Sequence, residues 1–217
     1  MNSTLTPALS RTDTPKVPSD IGDPTWEVTR LFPRQGAWTE ADFIALDASC
    51  LVELNQGVLE FPEMPSLAHQ IIQKKLSRVL DDYVTRNRLG EVLNAPTAIR
   101  LPEGQLREPD VVFLAQARLP SNLDEIPDGA DLAIEIVSPT LKSRKHDLVT
   151  KRLEYAQATI PEYWIVDPET ETITVLTLPA GQTEYAVHGE FKPGQTANSK
   201  LLDGFMVDVT ACFVAGK

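Results

Sequence analysis

The chain has 217 residues, 42% of them hydrophobic, enough for one domain with a real core. Its 20 Lys and Arg against 31 Asp and Glu leave a formal charge of -11 and a pI of about 4.7, which excludes a general electrostatic attraction to nucleic acid or to an anionic membrane. Cys50 and Cys212 are too few and too far apart for a disulfide framework or a zinc knuckle, and read as buried free thiols in a reducing compartment. No apolar run approaches the roughly 20 residues of a membrane helix, and the N-terminus shows no leader pattern, so the expected location is the cytoplasm, with no membrane partner.

Residues 1–33, rich in Ser, Thr and Pro, read as an arm, flexible or docked on the surface, ahead of one domain over 34–217. Thr39 is a candidate N-cap for a short helix, with Asp42 completing a capping box. Cys50 to Phe61 holds two short apolar-polar runs around Asn55-Gln56-Gly57, a hairpin signal that carries Glu53 and Glu60. Carboxylates on the solvent face are the bland reading of both, and the better one for Glu60.

Ser66 to Leu89 changes to helical spacing, with Ile72, Leu76, Val79, Leu80 and Tyr83 on one stripe and His69 near its head. A lone histidine there is more often a packing or capping residue than a ligand. Glu91–Leu101, Pro109–Leu114 and Asp131–Val137 read as strands. Pro139 closes the third, a basic linker (Lys142, Arg144, Lys145, His146) follows, and Asp147 is positioned to cap a helix from Leu148 to Ala158. Glu162–Asp167 is a fourth strand, and strand, helix, strand in succession predicts a parallel crossover. Thr172–Leu178 and Thr183–Val187 alternate as an outer hairpin, and Lys200–Phe213 reads as packing sequence. No glycine-rich phosphate loop, nucleophile elbow or paired-cysteine metal motif is present.

Two residues in this pattern are out of place. Glu135 stands inside a strand that is otherwise apolar on both faces, where a carboxylate is expensive to bury without a cation, hydrogen bonds or a raised pKa. Leu148, Lys151 or Arg152, and Tyr155 share a side of the next helix, so Lys151 can face the sheet, although a snorkelling lysine is the plain alternative. Asp110 opens a strand upstream, and alone it reads as a turn or capping group.

Taken together, VELNQG (Val52–Gly57), His69-Gln70, REPDVVF (Arg107–Phe113), DLAIEIVSP (Asp131–Pro139), DLVTKRLEYA (Asp147–Ala156) and IPEYWIVDPET (Ile160–Thr170) resemble the PD-(D/E)XK nuclease superfamily. Within it they look most like the Uma-type restriction-endonuclease-like proteins, many of them known only as a domain of unknown function. The resemblance spans about Leu31 to Phe213. It implies an α/β (α+β) restriction-endonuclease-like fold: a mixed central sheet flanked by helices, with additional N-terminal and C-terminal β hairpins.

The resemblance also implies a metal-dependent endonuclease acting on phosphodiester bonds. Asp110 matches the family's first carboxylate and Glu135 its second, with the backbone carbonyl of Ile136 as a third metal ligand. Val137 stands where the superfamily's lysine is usual, and Lys151 on the following helix matches the lysine that Uma-type proteins carry instead. Catalytic roles therefore go to Asp110, Glu135 and Lys151, and accessory ones to Glu53, His69 and Tyr155. Oxygen donors of this kind suit Mg2+, with Mn2+ as a substitute. DNA is the expected substrate and RNA stays open; the -11 charge obstructs phosphate binding unless Lys142, Arg144, Lys145 and Arg152, with Arg100 and Arg107, line the cleft's rim. Double-strand cleavage favours two sites and hence a homodimer. Two other readings stand beside this one: a catalytically inactive nuclease-fold binding or regulatory module, and a plain buried Glu135–Lys151 ion pair.

Overall fold

The computed structural model describes residues 32–46 and 51–214, so nearly all of the expected arm, and Cys50, lie outside the described residues; so do the side chains of Leu141 and Lys142. In chain order the elements are α1 (Glu40–Ile44), β1 (Glu53–Asn55), β2 (Val58–Glu60), α2 (Leu67–Asn87), β3 (Gly90–Asn94), β4 (Ile99–Leu101), β5 (Gln105–Arg107), β6 (Val111–Ala115) and β7 (Leu132–Ile136). There follow α3 (Leu141–Lys145), a π turn (His146–Thr150), α4 (Lys151–Gln157), β8 (Glu162–Asp167), β9 (Thr172–Thr177), β10 (Ala186–Phe191), β11 (Thr196–Asn198), β12 (Met206–Asp208) and α5 (Val209–Val214).

Six strands in the order β10-β9-β8-β7-β6-β3 form the central sheet. β7 and β8 are parallel, joined by the expected helical crossover, and every other neighbouring pair is antiparallel. Side chains alternate between the two faces of a strand, and each face of this sheet builds its own core. Leu132, Ile134 and Ile136 of β7 join Trp164 and Val166 of β8 beneath α2, which buries Ile72, Leu76, Leu80 and Val84 at a spacing of four, and beneath α5. Ala133 and Val137 lie on the other face with Tyr155 and Ala156 of α4, Tyr163 and Tyr185. Cys212 is buried, as expected, and burial pushes its thiol up to about 12. Glu162, wholly buried, accepts from Trp164 Nε1, Ser199 Oγ and the Lys200 and Leu201 amides at 2.7–2.8 Å, anchoring the C-terminal segment to β8.

A second, antiparallel sheet in the order β2-β1-β5-β4 packs Leu54, Leu59 and Leu106 against Trp38 and Phe43 around α1, whose Thr39–Asp42 capping box forms. Here the sequence expectation needs correcting. The single strand expected over Glu91–Leu101 is two, β3 in the large sheet and β4 in the small one. The chain turns between them at Ala95-Pro96, and Pro96 has no N–H with which to continue a ladder. β5, read as part of a link, pairs with both β1 and β4. The second strand of the outer hairpin runs over Ala186–Phe191 rather than Thr183–Val187, and in the short β11–β12 hairpin β12 lies in sequence read as packing tail.

The basic linker is also helical, because Lys and Arg are good helix formers and Thr140 Oγ1 accepts from the Ser143 amide at 3.3 Å. Asp147 therefore does not cap a helix. It lies buried within the π turn.

What ties the small sheet to α4 is Arg107, placed by the sequence reading at an exposed rim but wholly buried. Its Nε and Nη2 form a fork on Glu154 of α4 at 2.9 and 2.8 Å, and Nη1 reaches Glu53 at 3.1 Å and Glu60 at 2.5 Å. Glu60, read as a solvent-face carboxylate, is thus an ion-pair partner. Arg107→Met leaves buried carboxylates on β1 and α4 without their counter-charge, and the expected loss is about 3–5 kcal/mol in urea unfolding at neutral pH. A loss below about 1 kcal/mol would show that the network stabilises no more than surface ion pairs do.

Candidate active site

The site begins with the register of β6 on β7. Val111 stands opposite Ile134, and continuing that antiparallel register by one residue sets Asp110 opposite Glu135 at the open end of both strands. Asp110 is fixed there from two sides. Its Oδ2 accepts from the Ile136 amide at 2.7 Å and lies 3.2 Å from His69 Nε2, while its backbone carbonyl accepts from Gln73 Nε2 at 2.7 Å. His69 Nε2 is also 3.1 Å from the Ile136 carbonyl. The Asp110 carboxylate and the Ile136 carbonyl therefore converge on His69 Nε2. Burial alone would lower the His69 pKa; its hydrogen bond and charge contact with Asp110 outweigh this and raise it.

Glu135 faces α4. Its Oε1 accepts from Lys151 Nζ at 2.9 Å and from Tyr155 Oη at 2.6 Å, two side chains one helical turn apart. Lys151 is only 6% exposed, so it does not snorkel. Its ammonium lies 3.5 Å from Glu53 Oε1 and 3.8 Å from Asp147 Oδ1, which makes three carboxylates around one charge. Burial would depress the Lys151 pKa, yet Glu135, Glu53, Asp147 and Asp110 together raise it, and the lysine stays charged.

The carboxylates divide. Burial raises the Glu135 pKa, and Asp110 and Asp147 push the same way against the opposing pull of Lys151. Asp147 is likewise raised by burial. Glu53 resists its own burial because Lys151, His146, Arg107 and the Glu108 amide hold it well below the usual carboxylate range. The π turn sets this arrangement: the Lys151 amide bonds back to the His146 carbonyl, a wider turn than the α-helix allows, and one winding presents Asp147 and Lys151 to the same point.

These groups line a cavity of about 1080 Å³ together with His146, Glu108 and the Phe61–Pro65 segment. The expected catalytic, accessory and ligand residues, Asp110, Glu135, Lys151, Glu53, His69, Tyr155 and Ile136, thus lie together in this one region. The basic residues expected at the rim do not. Arg144 is paired with Asp167 at 2.7 Å and Glu169 at 3.0 Å, Arg152 donates to the Tyr185 carbonyl, and Arg100 is held by Glu40 and Asp128. Lys145 does line the cavity, and the Lys142 side chain lies outside the described residues.

Among the described residues a further set with ligand atoms close enough to share a cation is Glu53, Glu60 and His146. Arg107 Nη1 already touches both of those glutamates, so a cation there would compete with the guanidinium. Asp110, Glu135 and the Ile136 carbonyl, all oxygen donors, have the chemistry a hard divalent ion favours, and two of the three converge.

Asp110 and Glu135 stand at the open end of the central strands with the buried Lys151 of α4 beside them, as the restriction-endonuclease-like fold leads one to expect. A solved structure agrees: that of a putative nuclease belonging to DUF820 from Anabaena variabilis ATCC 29413 superposes with a TM-score of 0.67 at 17% identity, over 83% of this chain and 99% of that one. Residues 41–210 match the Uma2 family, described as "Putative restriction endonuclease", and the chain belongs to that family. Among curated proteins none matches the sequence. Among the described residues no helix is long and apolar enough to cross a membrane.

Sequence reasoning missed three contributors. Asp147 was taken for a cap, and nothing in the sequence marks a π turn. Gln73 sits one helical turn after His69, a spacing that was available. Glu108 was passed over beside Asp110, although its Oε2 is buried without a hydrogen-bond partner. Burial, with the charge of Glu53 beside it, raises Glu108 to about 7 from 4.5. A carboxyl raised on folding stabilises the fold while protonated and loses that contribution as pH climbs from the unfolded to the folded value. Without added metal, unfolding stability is expected to fall between about pH 4.5 and 7, and Glu108→Gln to make that fall shallower in urea titrations across the range. An unchanged slope in the variant would mean that Glu108 stays ionised throughout.

Proposed function

We propose that this protein is a divalent-metal-dependent endonuclease that hydrolyses phosphodiester bonds in DNA, with Mg2+ as its ion and Mn2+ able to replace it. One observation carries the reading: the Asp110 carboxylate and the Ile136 carbonyl are drawn together on His69 Nε2, at 3.2 and 3.1 Å, beside a Glu135 that holds a buried, charged Lys151. Asp110, Glu135 and the Ile136 carbonyl would hold the ion, which when bound polarises the phosphoryl oxygen and acidifies a water molecule.

The chain's own residues do the rest. Hydrolysis forms a bond from the water oxygen to phosphorus and breaks the bond from phosphorus to the departing sugar oxygen. The Lys151 ammonium stabilises the negative charge that gathers on the phosphoryl oxygens, in a pocket where water screens it little. Glu53 and Asp147 hold that ammonium at the cavity wall, and Tyr155 fixes the Glu135 rotamer by its 2.6 Å hydrogen bond. His69 holds Asp110 in place. Cutting both strands of a duplex calls for two such sites and hence a homodimer.

Single-turnover nicking of a supercoiled plasmid with Mg2+ or Mn2+ tests the proposal. Wild type is expected to nick, a chelator to stop it, and Asp110→Asn and Glu135→Gln to abolish it. Lys151→Met is expected to slow the step by about 10²–10³-fold, the usual cost of one preorganised charge-stabilising donor. A wild-type protein inert on both the plasmid and single-stranded nucleic acid, or cleavage by Asp110→Asn at the wild-type rate, would sink the assignment.

A further inference from the structure

The cavity has two chemically different walls. One is ionic: of the described residues that line it, seven are carboxylates and two are lysines, and Lys151 is already engaged by three of those carboxylates. That leaves Lys145 as the lysine of this lining that no carboxylate holds. The other wall is the connection from β2 to α2, where Phe61, Pro62, Met64 and Pro65 face the same space. Phe61 is 62% exposed and Met64 94% exposed, so these apolar side chains are largely uncovered among the described residues, while Glu63 between them is tied across to Thr140, just beyond β7, at 3.0 Å. The segment is therefore held in register with the strand that bears Glu135.

Duplex DNA hides its bases and presents two tracks of phosphate, and binding it rests on lysines and arginines that neutralise them. This cleft offers almost none, and the neighbouring arginines 100, 107 and 144 are each held by acidic side chains. A single strand carries its phosphates on one side and its bare bases on the other, so one phosphate can meet the proposed divalent ion at the acidic wall while its base meets the apolar wall. Stacking of an unpaired base on an aromatic ring contributes affinity that does not depend on cations.

We infer that the site takes single-stranded nucleic acid, with an unpaired base stacked on Phe61 and packed against Met64 while the adjacent phosphate lies at Asp110 and Glu135. This rests on the nuclease reading for the placement of the phosphate. The occupant shares one chemistry in DNA and RNA, a flexible strand with exposed bases.

Fluorescence anisotropy with labelled single-stranded DNA, single-stranded RNA and a blunt DNA duplex of the same sequence tests it, with Ca2+ as the hard oxygen-seeking ion. At least one single strand is expected to bind about tenfold or more tightly than the duplex, and Phe61→Ala to weaken that binding about tenfold, the order expected for one lost stacking contact. Val187→Ser, exposed on the outer strand β10, serves as the control and is expected to bind as wild type does. Duplex binding as tight as single-strand binding, or an unaffected Phe61→Ala, overturns the inference. Single strands that bind through Phe61 but are never cut would instead count against the nuclease reading alone.

Discussion

Everything at this site depends on one ammonium ion that has been taken out of water. A buried lysine ordinarily gives up its proton. Lys151 keeps it because Glu135 stands 2.9 Å away, with Glu53 and Asp147 closing the shell at 3.5 and 3.8 Å. The three carboxylates come from three parts of the chain: the central strand β7, the small sheet's β1, and the π turn that leads into α4. One charge therefore fixes the relative positions of both sheets and the crossover helix.

Arg107 repeats the arrangement a few ångströms further out. Glu60, Arg107, Glu53, Lys151 and Glu135 form a line of alternating charge from the half-exposed edge of the small sheet to the buried middle of the large one. Glu154 extends it sideways onto α4. Such a line transmits position well, because a displaced member leaves a buried charge facing a like neighbour. The apolar cores on either side of the central sheet supply most of the burial, but they would accept small shifts that the charges do not.

The sequence made much of this legible, for identifiable reasons. Glu135 stood out because its neighbours, Ile134 and Ile136, are apolar, and a lone carboxylate in such a strand needs an explanation. Helical spacing allowed Lys151 or Arg152 on the buried side and the family resemblance singled out Lys151, while the parallel β7–β8 pair followed from strand, helix and strand in succession. What stayed hidden was long-range or conformationally rare. Arg107 lies 47 residues from Glu154 in sequence, and nothing local tells a buried fork from a surface arginine. Asp147 looked like a cap because Asp commonly is one, and a π turn leaves no mark in a single sequence. The long strand expected over Glu91–Leu101 is interrupted at Pro96, whose missing N–H cannot continue the ladder.

The excess of carboxylates is informative in itself. Around the proposed ion site, Glu135, Asp147, Asp110, Glu53 and Glu108 outnumber the two cations, Lys151 and Arg107, that reach in among them. The strain appears where it should: Glu135, Asp147 and Glu108 are all pushed toward their neutral forms, whereas Glu53, which touches both cations, is not. A cluster built only to stabilise the fold would balance its charges, since each unpaired carboxylate in a dry pocket raises the free energy of the native state. On the proposed reading a cation from solution would supply the charge that these carboxylates lack, and the overall charge of -11 would then oppose nucleic acid less at this point than over the rest of the surface.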